Sequence, residues 1–302
     1  MDIITKKVLS SDGKHELIGK IYFPEGEKKG YLHVVHGMTE HIGRYEKFMR
    51  GMAEDGYIVF GYDHLGHGET AKEDKSFGFI AHKGGDELLA KDVSVFAEAV
   101  KKEYGALPYY LFGHSMGSFI VRLAAKEYIK PEKLIVMGTG GPNPAAGAGL
   151  AVIDILRLFK GEKSYSDLVE NMAFGAYNKG FEDENDDKSW LTKDKSVRDT
   201  YKKDEYCTFR FTLSALHDLI SLNKKSNAKS WYQGFPKDVE ILLVSGSEDP
   251  VGEHSKGVKK VYDGLKSAGA NVKMKLYEGY RHEILNDASR EEVIKDIKEF
   301  LG

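Results

Sequence analysis

Cysteine is almost missing from this chain: Cys207 is the only one in 302 residues, so no intramolecular disulfide can form. A chain of this length can bury a full core without covalent staples, and the shortage points to a reducing compartment. Long apolar runs are missing as well. The nearest approach, Ala145 to Phe159, is interrupted by Asp154 and Arg157 and falls short of the ~20 apolar residues that span a bilayer. The opening residues, Met1-Asp2-Ile3-Ile4-Thr5-Lys6-Lys7, contain no apolar core of a secretory signal. Neither sign of charge dominates, since 44 Lys and Arg against 47 Asp and Glu leave a formal net charge of −3. No basic stripe with interleaved aromatics is present, which removes the support for a nucleic-acid partner. These absences predict a soluble cytoplasmic protein with no stable membrane insertion. Oligomeric state has no signature in the sequence.

What is present is a regular alternation. Lys7–Leu9 and Leu17–Phe23, joined by Ser11-Asp12-Gly13, read as an antiparallel pair. Apolar runs follow at Tyr31–Val35, Tyr57–Tyr62, Tyr109–Phe112, Lys133–Met137, Glu240–Val244 and Val272–Tyr277. Several are continuously apolar, as strands buried on both faces of a parallel sheet must be. Helical spacing lies between them, as in Ile42, Tyr45, Phe48, Met49 and Met52, and in Leu88, Leu89, Val93, Phe96 and Val100. A last helix, with Val293, Ile294, Ile297 and Phe300 on its apolar face, is expected to open with a capping box from Ser289 to Glu292. The fold class this predicts is α/β, a mainly parallel, doubly wound sheet of about eight strands.

The alternation stops for about a hundred residues between the strands at 133–137 and 240–244, too long for an ordinary connection. Gly140-Gly141-Pro142-Asn143-Pro144 breaks the chain there. Helices are expected at Ala145–Phe159 and Phe209–Leu222, with the charge-rich piece Glu182–Glu205 between them facing solvent. Residues 143–228 are therefore assigned as a helical cap, inserted between a core of 1–142 and its continuation, 229–302.

Gly113-His114-Ser115-Met116-Gly117 matches G-x-S-x-G, with an apolar strand running in and a helical segment, Phe119–Tyr128, running out. Such a turn exposes the serine, and its crowding demands small residues two positions to either side. A serine hydroxyl needs a base to take its proton and an acid to orient the base. In this arrangement the chain order is serine, acid, histidine. Asp249 follows one strand and His282 the next, with the adjoining Glu248 the less favoured acid. The oxyanion that forms needs aimed N–H donors, expected from the backbone of Met116 and of Met38. The histidines His33, His36 and His41, and His64 with His67, invite a metal reading. They fall on the oxyanion loop and on a glycine-rich turn, and no metal is expected there.

With these residues in place, a resemblance stands out. His36-Gly37-Met38-Thr39-Glu40-His41-Ile42-Gly43-Arg44-Tyr45 is similar to the HGxxEHxxRY segment of the monoacylglycerol lipase and lysophospholipase group of α/β-hydrolases, which includes serine aminopeptidase-like members. Tyr62–Glu69 resembles its second signature and Gly113–Gly117 its elbow. Gly246–Gly252 and Glu278–Asn286 are similar to the segments that hold its acid and histidine. The resemblance implies an α/β-hydrolase fold, cleavage of carboxylic esters through an acyl-enzyme, a small lipid-like substrate with one acyl chain, and no cofactor. It also implies that Glu40 and Arg44 lie at the head-group end of the pocket. Their spacing on a helix would equally make a structural ion pair. The chain departs from animal members of the group, which carry a second histidine three residues after the catalytic one, where this sequence has Leu285. A small-ester esterase, an exopeptidase or a non-catalytic binding protein of the same fold remain alternatives. The almost all-round apolar helix Ala145–Phe159 is expected to supply part of an acyl wall.

Overall fold

The computed structural model describes the backbone of residues 1–302 and the side chains of all but Asp183. Eight strands form one sheet: β1 (Ile3–Leu9), β2 (Glu16–Tyr22), β3 (Gly30–Val35), β4 (Tyr57–Tyr62), β5 (Tyr109–His114), β6 (Lys133–Met137), β7 (Glu240–Gly246) and β8 (Asn271–Tyr277). Their order across the sheet is β1-β2-β4-β3-β5-β6-β7-β8. β1 and β2 pair antiparallel, β2 meets β4 antiparallel, and every later pairing is parallel. All eight expected strands are present, β1 starting earlier than its apolar pattern suggested.

Helices cover both faces, which is why the central strands are apolar at consecutive positions. In β5, Leu111 belongs to the buried cluster that Phe96, Ile120 and Val261 join from helices on one side. Its neighbour Phe112 packs with Phe48, Met49 and Met52 on the other. The parallel register carries the ends of β3, β5, β6, β7 and β8 to one edge of the sheet, pairing Val35 with Gly113, Met137 with Val244 and Gly246 with Tyr277. Loops leaving that edge converge, and they are the loops that carry Met38, Ser115, Asp249 and His282.

Among the described residues, the stretch between β6 and β7 holds no strand. Its main helices are Ala146–Lys160, Asp167–Phe174, Lys195–Lys203 and Leu213–Ser226. The last of these packs on Ala146–Lys160 and also on the core helices Met116–Glu127 and Gly85–Tyr104. It opens at Thr212, whose hydroxyl accepts from the Ala215 amide, a cap worth about 1 kcal/mol.

One expectation fails and another holds only in part. Ser289 does sit before the final helix, Arg290–Leu301, but makes no capping bond. Its hydroxyl donates instead to the Ile284 carbonyl, so it anchors the loop that carries His282. The charge-rich segment Glu182–Glu205 faces solvent along much of its length, as expected, but it is not solvated throughout. Ser189, Leu191, Thr192, Arg198 and Tyr201 are buried, and Asp186 accepts from both Arg198 and Lys202. Charge pairing lets the segment bury against the core, which its composition concealed. Among the described residues, no helix is long and apolar enough to cross a membrane.

Candidate active site

β5 ends in the turn that carries Ser115, and the helix Met116–Glu127 begins one residue later. Ser115 has φ 54° and ψ −120°, a strained conformation that persists only where its surroundings hold it. The two flanking glycines show what holds it. A methyl on Gly113 would come within 2.4 Å of the Gly117 carbonyl oxygen, and one on Gly117 within 2.2 Å of the Val35 carbonyl oxygen. The strand, the helix and the β3 loop meet too closely here for any side chain. As the first residue of its helix, Met116 has an amide without an intrahelical acceptor, and it lines the same cavity as Ser115.

His282 lies on the loop after β8 and Asp249 on the loop after β7. The His282 Nδ1–H donates to Asp249 Oδ2 at 2.9 Å, with both side chains buried. Asp249 also accepts from the Val251 amide at 2.9 Å. Burial by itself would raise the Asp249 carboxyl, but the charge and hydrogen bond of His282 outweigh it and hold the group below its usual range. Burial likewise pulls the His282 imidazole down, and the Asp249 carboxylate, with help from Glu283 and Glu40, more than reverses this. Glu248, the other candidate acid, points away and pairs with Lys193 at 3.1 Å. Ser115, His282, Met38, Met116, Glu40 and Arg44 all line one cavity of about 660 Å³, while Asp249 sits behind the histidine. That volume is typical of a small-molecule site.

The family model for serine aminopeptidase, S33 matches residues 26–289. The chain is an α/β-hydrolase of this family, and an ester hydrolase by class. It is 28% identical to human monoglyceride lipase over 91% of this chain and 82% of that one. It is 24% identical to a monoacylglycerol lipase of Mycolicibacterium smegmatis, over 96% and 94% of the two chains. Among solved structures, a highly thermostable carboxyl esterase from Bacillus coagulans in complex with glycerol matches with a TM-score of 0.93 and 31% identity. That match covers 100% of this chain and 98% of the other.

In this hydrolase Glu40 and Arg44 form an ion pair at 2.8 Å, as their spacing suggested, and both also line the cavity. Glu40, however, precedes the short 3₁₀ turn Ile42–Tyr45 rather than standing on a helix. Its Oε1 accepts from the Gly37 amide at 2.5 Å and the Tyr45 hydroxyl at 2.8 Å. The carboxylate thereby ties the oxyanion loop to the turn that follows. Burial alone would raise it; the His114 hydrogen bond and the Arg44 charge hold it well below the usual range. Arg44 also donates to both oxygens of Glu283, each at 2.7 Å. Glu283 has no marker in the sequence beyond its place next to His282. Leu285 is buried in the core with Ile284, so position 285 offers the cavity neither an imidazole nor any other polar group.

The cap supplies contacts that sequence patterns did not indicate. The Trp190 ring lies 5.2 Å from that of His282, and His114 covers it from elsewhere at 4.6 Å. The Glu283 amide donates to the Leu191 carbonyl at 2.8 Å, and Arg281 donates to Ser189 O at 2.7 Å. The Tyr201 hydroxyl donates to the Thr39 carbonyl at 2.9 Å. Residues 184–201 thus press on both the histidine loop and the oxyanion loop. The apolar helix Ala146–Lys160 takes part only through Ala146, Gly149 and Val152. Ile155, Leu158 and Phe159 face solvent, the last two more than 80% exposed at 83% and 84%, so the expected wall is half as long as its apolar run.

The histidines divide into separate groups. His36, His64 and His67 are fully buried together, with ring centroids 4.1 Å apart for His36 and His64 and 5.3 Å for His36 and His67. His36 donates from Nδ1 to the Gly37 carbonyl and accepts at Nε2 from the His64 amide. It therefore works as a neutral ring supporting the loop that follows β3. His33 is buried elsewhere, beside Tyr109 and Phe60. Burial pushes His33 and His64 down to about 3 and His67 to about 4, and His36 well below its ordinary value, with neighbouring histidines adding to the effect for His33, His36 and His64.

Acid lability follows from these depressed values. Their ordinary value is 6.5. Below it the unfolded chain takes up protons that the folded protein refuses, so stability is complete above that pH and declines as pH falls toward 3–4. Each histidine contributes up to about 1.4 kcal/mol per pH unit in that window. Melting temperature recorded from pH 7.5 to 4.5 should drop steeply below about 6.5, and less steeply in His33→Phe. A flat profile to pH 5 would show that the rings are not held neutral.

Proposed function

We propose that this hydrolase cleaves esters joining one acyl chain to a small polar alcohol, of the monoacylglycerol or lysophospholipid kind. Ser115 is the nucleophile, His282 the general base and Asp249 the orienting acid. The observation that carries the reading is the buried His282–Asp249 hydrogen bond at 2.9 Å, formed at the wall of the cavity into which the strained Ser115 turn also faces. In this reading His282 takes the Ser115 proton as Oγ attacks the ester carbonyl, and Asp249 stabilises the imidazolium. The Met38 and Met116 amides receive the oxyanion. His282 then returns the proton to the departing alcohol, and water, activated by the same histidine, releases the acid.

The cavity lining is both apolar and polar, which supports an amphiphilic substrate. Phe119, Val152, Val169, Phe174 and Leu219 supply apolar lining; Glu40, Arg44, Tyr201 and Glu283 supply polar lining. An exopeptidase needs a free carboxylate for the substrate ammonium. Of the carboxylates lining the cavity, Glu40 and Glu283 are engaged by Arg44, Tyr45 and the Gly37 amide, while Asp187 and Glu253 pair with Lys188 and Lys260, which favours an ester over a peptide. Residues 143–228 act in this proposal as the cap that selects the substrate. The names of the Mycolicibacterium and human relatives agree with the substrate class.

The test is hydrolysis of p-nitrophenyl esters of increasing chain length, a monoacylglycerol and an aminoacyl anilide. Activity that rises with chain length and is absent on the anilide supports the reading; preference for the anilide sinks it. Within the same panel, Val152→Trp should shorten the space left for an acyl chain. If it excludes three methylenes, each worth about 0.8 kcal/mol, long-chain esters lose roughly 50-fold relative to butyrate. Leu158→Asp, on the exposed half of the same helix, should leave the chain-length profile unchanged. An equal loss across all lengths for Val152→Trp would place the acyl site elsewhere.

A further inference from the structure

His41, Asp204 and Cys207 meet where the cap touches the segment that follows the oxyanion loop. His41 Nε2 is 2.9 Å from Asp204 Oδ2, and a ring nitrogen of His41, a carboxylate oxygen of Asp204 and the Cys207 sulfur all lie within 4.8 Å of one another. A zinc ion bound to nitrogen, oxygen and sulfur at 2.0–2.3 Å holds such atoms about 3.5 Å apart. The three side chains therefore reach ligand spacing with small rotamer adjustments. The imidazole is already confined, with the Tyr206 ring 5.4 Å away edge-on and Gly43 packed against its Nδ1 edge.

The three ligands differ in access as a filled site requires. Cys207 is buried at 3% exposure, while His41 and Asp204 remain partly open, at 18% and 28%. A cation can enter from solvent and keep a water on its outer side. Burial keeps the metal-free Cys207 thiol protonated; of the charges acting on it, the guanidinium of Arg44 is the strongest, and the carboxylates of Asp204, Glu40 and Glu283 outnumber it. Arg44 is itself paired with Glu40 and Glu283.

We propose that His41, Asp204 and Cys207 form a binding site for a thiophilic divalent cation of the zinc type, which clamps the cap to the oxyanion-loop segment. The thiol proton passes to solvent as the thiolate coordinates, and the carboxylate and thiolate together neutralise a dication. A sulfur ligand selects zinc, cobalt or cadmium over magnesium and calcium. The clamp has leverage on the site. His41 stands three residues after Met38, and Asp204 three residues after Tyr201, whose hydroxyl already bonds Thr39. The site is separate from the reaction chemistry, so it stands or falls independently of the ester assignment.

Cobalt(II) is the probe. Full-length, chelator-treated protein titrated with cobalt should develop a thiolate-to-cobalt charge-transfer band in the near ultraviolet, and zinc should displace it. Zinc should also raise the melting temperature, and magnesium should not. Cys207→Ser should abolish the band. His41→Gln and Asp204→Asn should each weaken cobalt binding tenfold or more, with circular dichroism and the metal-free melt confirming that every variant is folded. No band in folded parent protein overturns the proposal. So does a band that survives in Cys207→Ser, or binding that neither His41→Gln nor Asp204→Asn weakens.

Discussion

Ser115→Ala is expected to lower ester turnover on the order of 10⁴-fold or more while the protein stays folded. The reason is chemical rather than structural. Removing Oγ deletes the only atom that can form the acyl-enzyme in the proposed mechanism, and the cavity and amide donors left behind give only the residual acceleration such sites retain. Alanine occupies the position about as well as serine, because the strain at φ 54° lies in the backbone and is common to both. The melting temperature should therefore change little. A fluorophosphonate should label the parent at Ser115, as located by peptide mass spectrometry, and leave Ser115→Ala unlabelled. Labelling of folded parent protein at another residue, or substantial turnover by the variant, would remove Ser115 from the mechanism.

Asp249→Asn should also cost about 10⁴-fold, because the amide supports the wrong imidazole tautomer and no longer stabilises its charged form. A pH profile separates this from simple disruption. In the parent, activity requires neutral His282. The Asp249 carboxylate raises that imidazole above its ordinary value of 6.5 despite burial, so the acidic limb of kcat/KM should lie above pH 6.5. In Asp249→Asn the burial is opposed far less, and the limb should move to lower pH as the maximum falls. Glu248→Gln is the matched control. Glu248 meets Lys193 near the surface, where an ion pair is worth at most about 1 kcal/mol, so its loss should change turnover less than about threefold. If Glu248→Gln were the damaging change, the acid would be misplaced by one residue.

Strand and helix positions were legible because burial leaves a periodic record in the chain. Leu111 and Phe112 face opposite sides of the sheet and are both apolar, which marks a central strand before any coordinates exist. The elbow was legible for a steric reason, since Gly113 and Gly117 have no room for a methyl. Asp249 and His282 were legible from their places after successive strands. The capping box at Ser289 had the right residues at the right spacing, but the hydroxyl found a tertiary partner in Ile284 instead. The half-exposed helix Ala146–Lys160 misled for a similar reason: an all-round apolar surface does not say which side meets the cavity.

By itself, then, the chain determined what depends on neighbours in sequence: the alternating elements, the tight turn at Ser115 and the strand-end positions of Asp249 and His282. Tertiary structure alone decided which charges meet. Arg44 reaches Glu283 across 239 residues of sequence, and Tyr201 reaches Thr39 across 162. No local pattern encodes such pairings, because a charged side chain has the same composition whether it is solvated or neutralised by a distant partner. Only the packed chain brings those partners within hydrogen-bond range, and the cap's part in it, through Tyr201 and Trp190, sets a charge-rich segment beside His282.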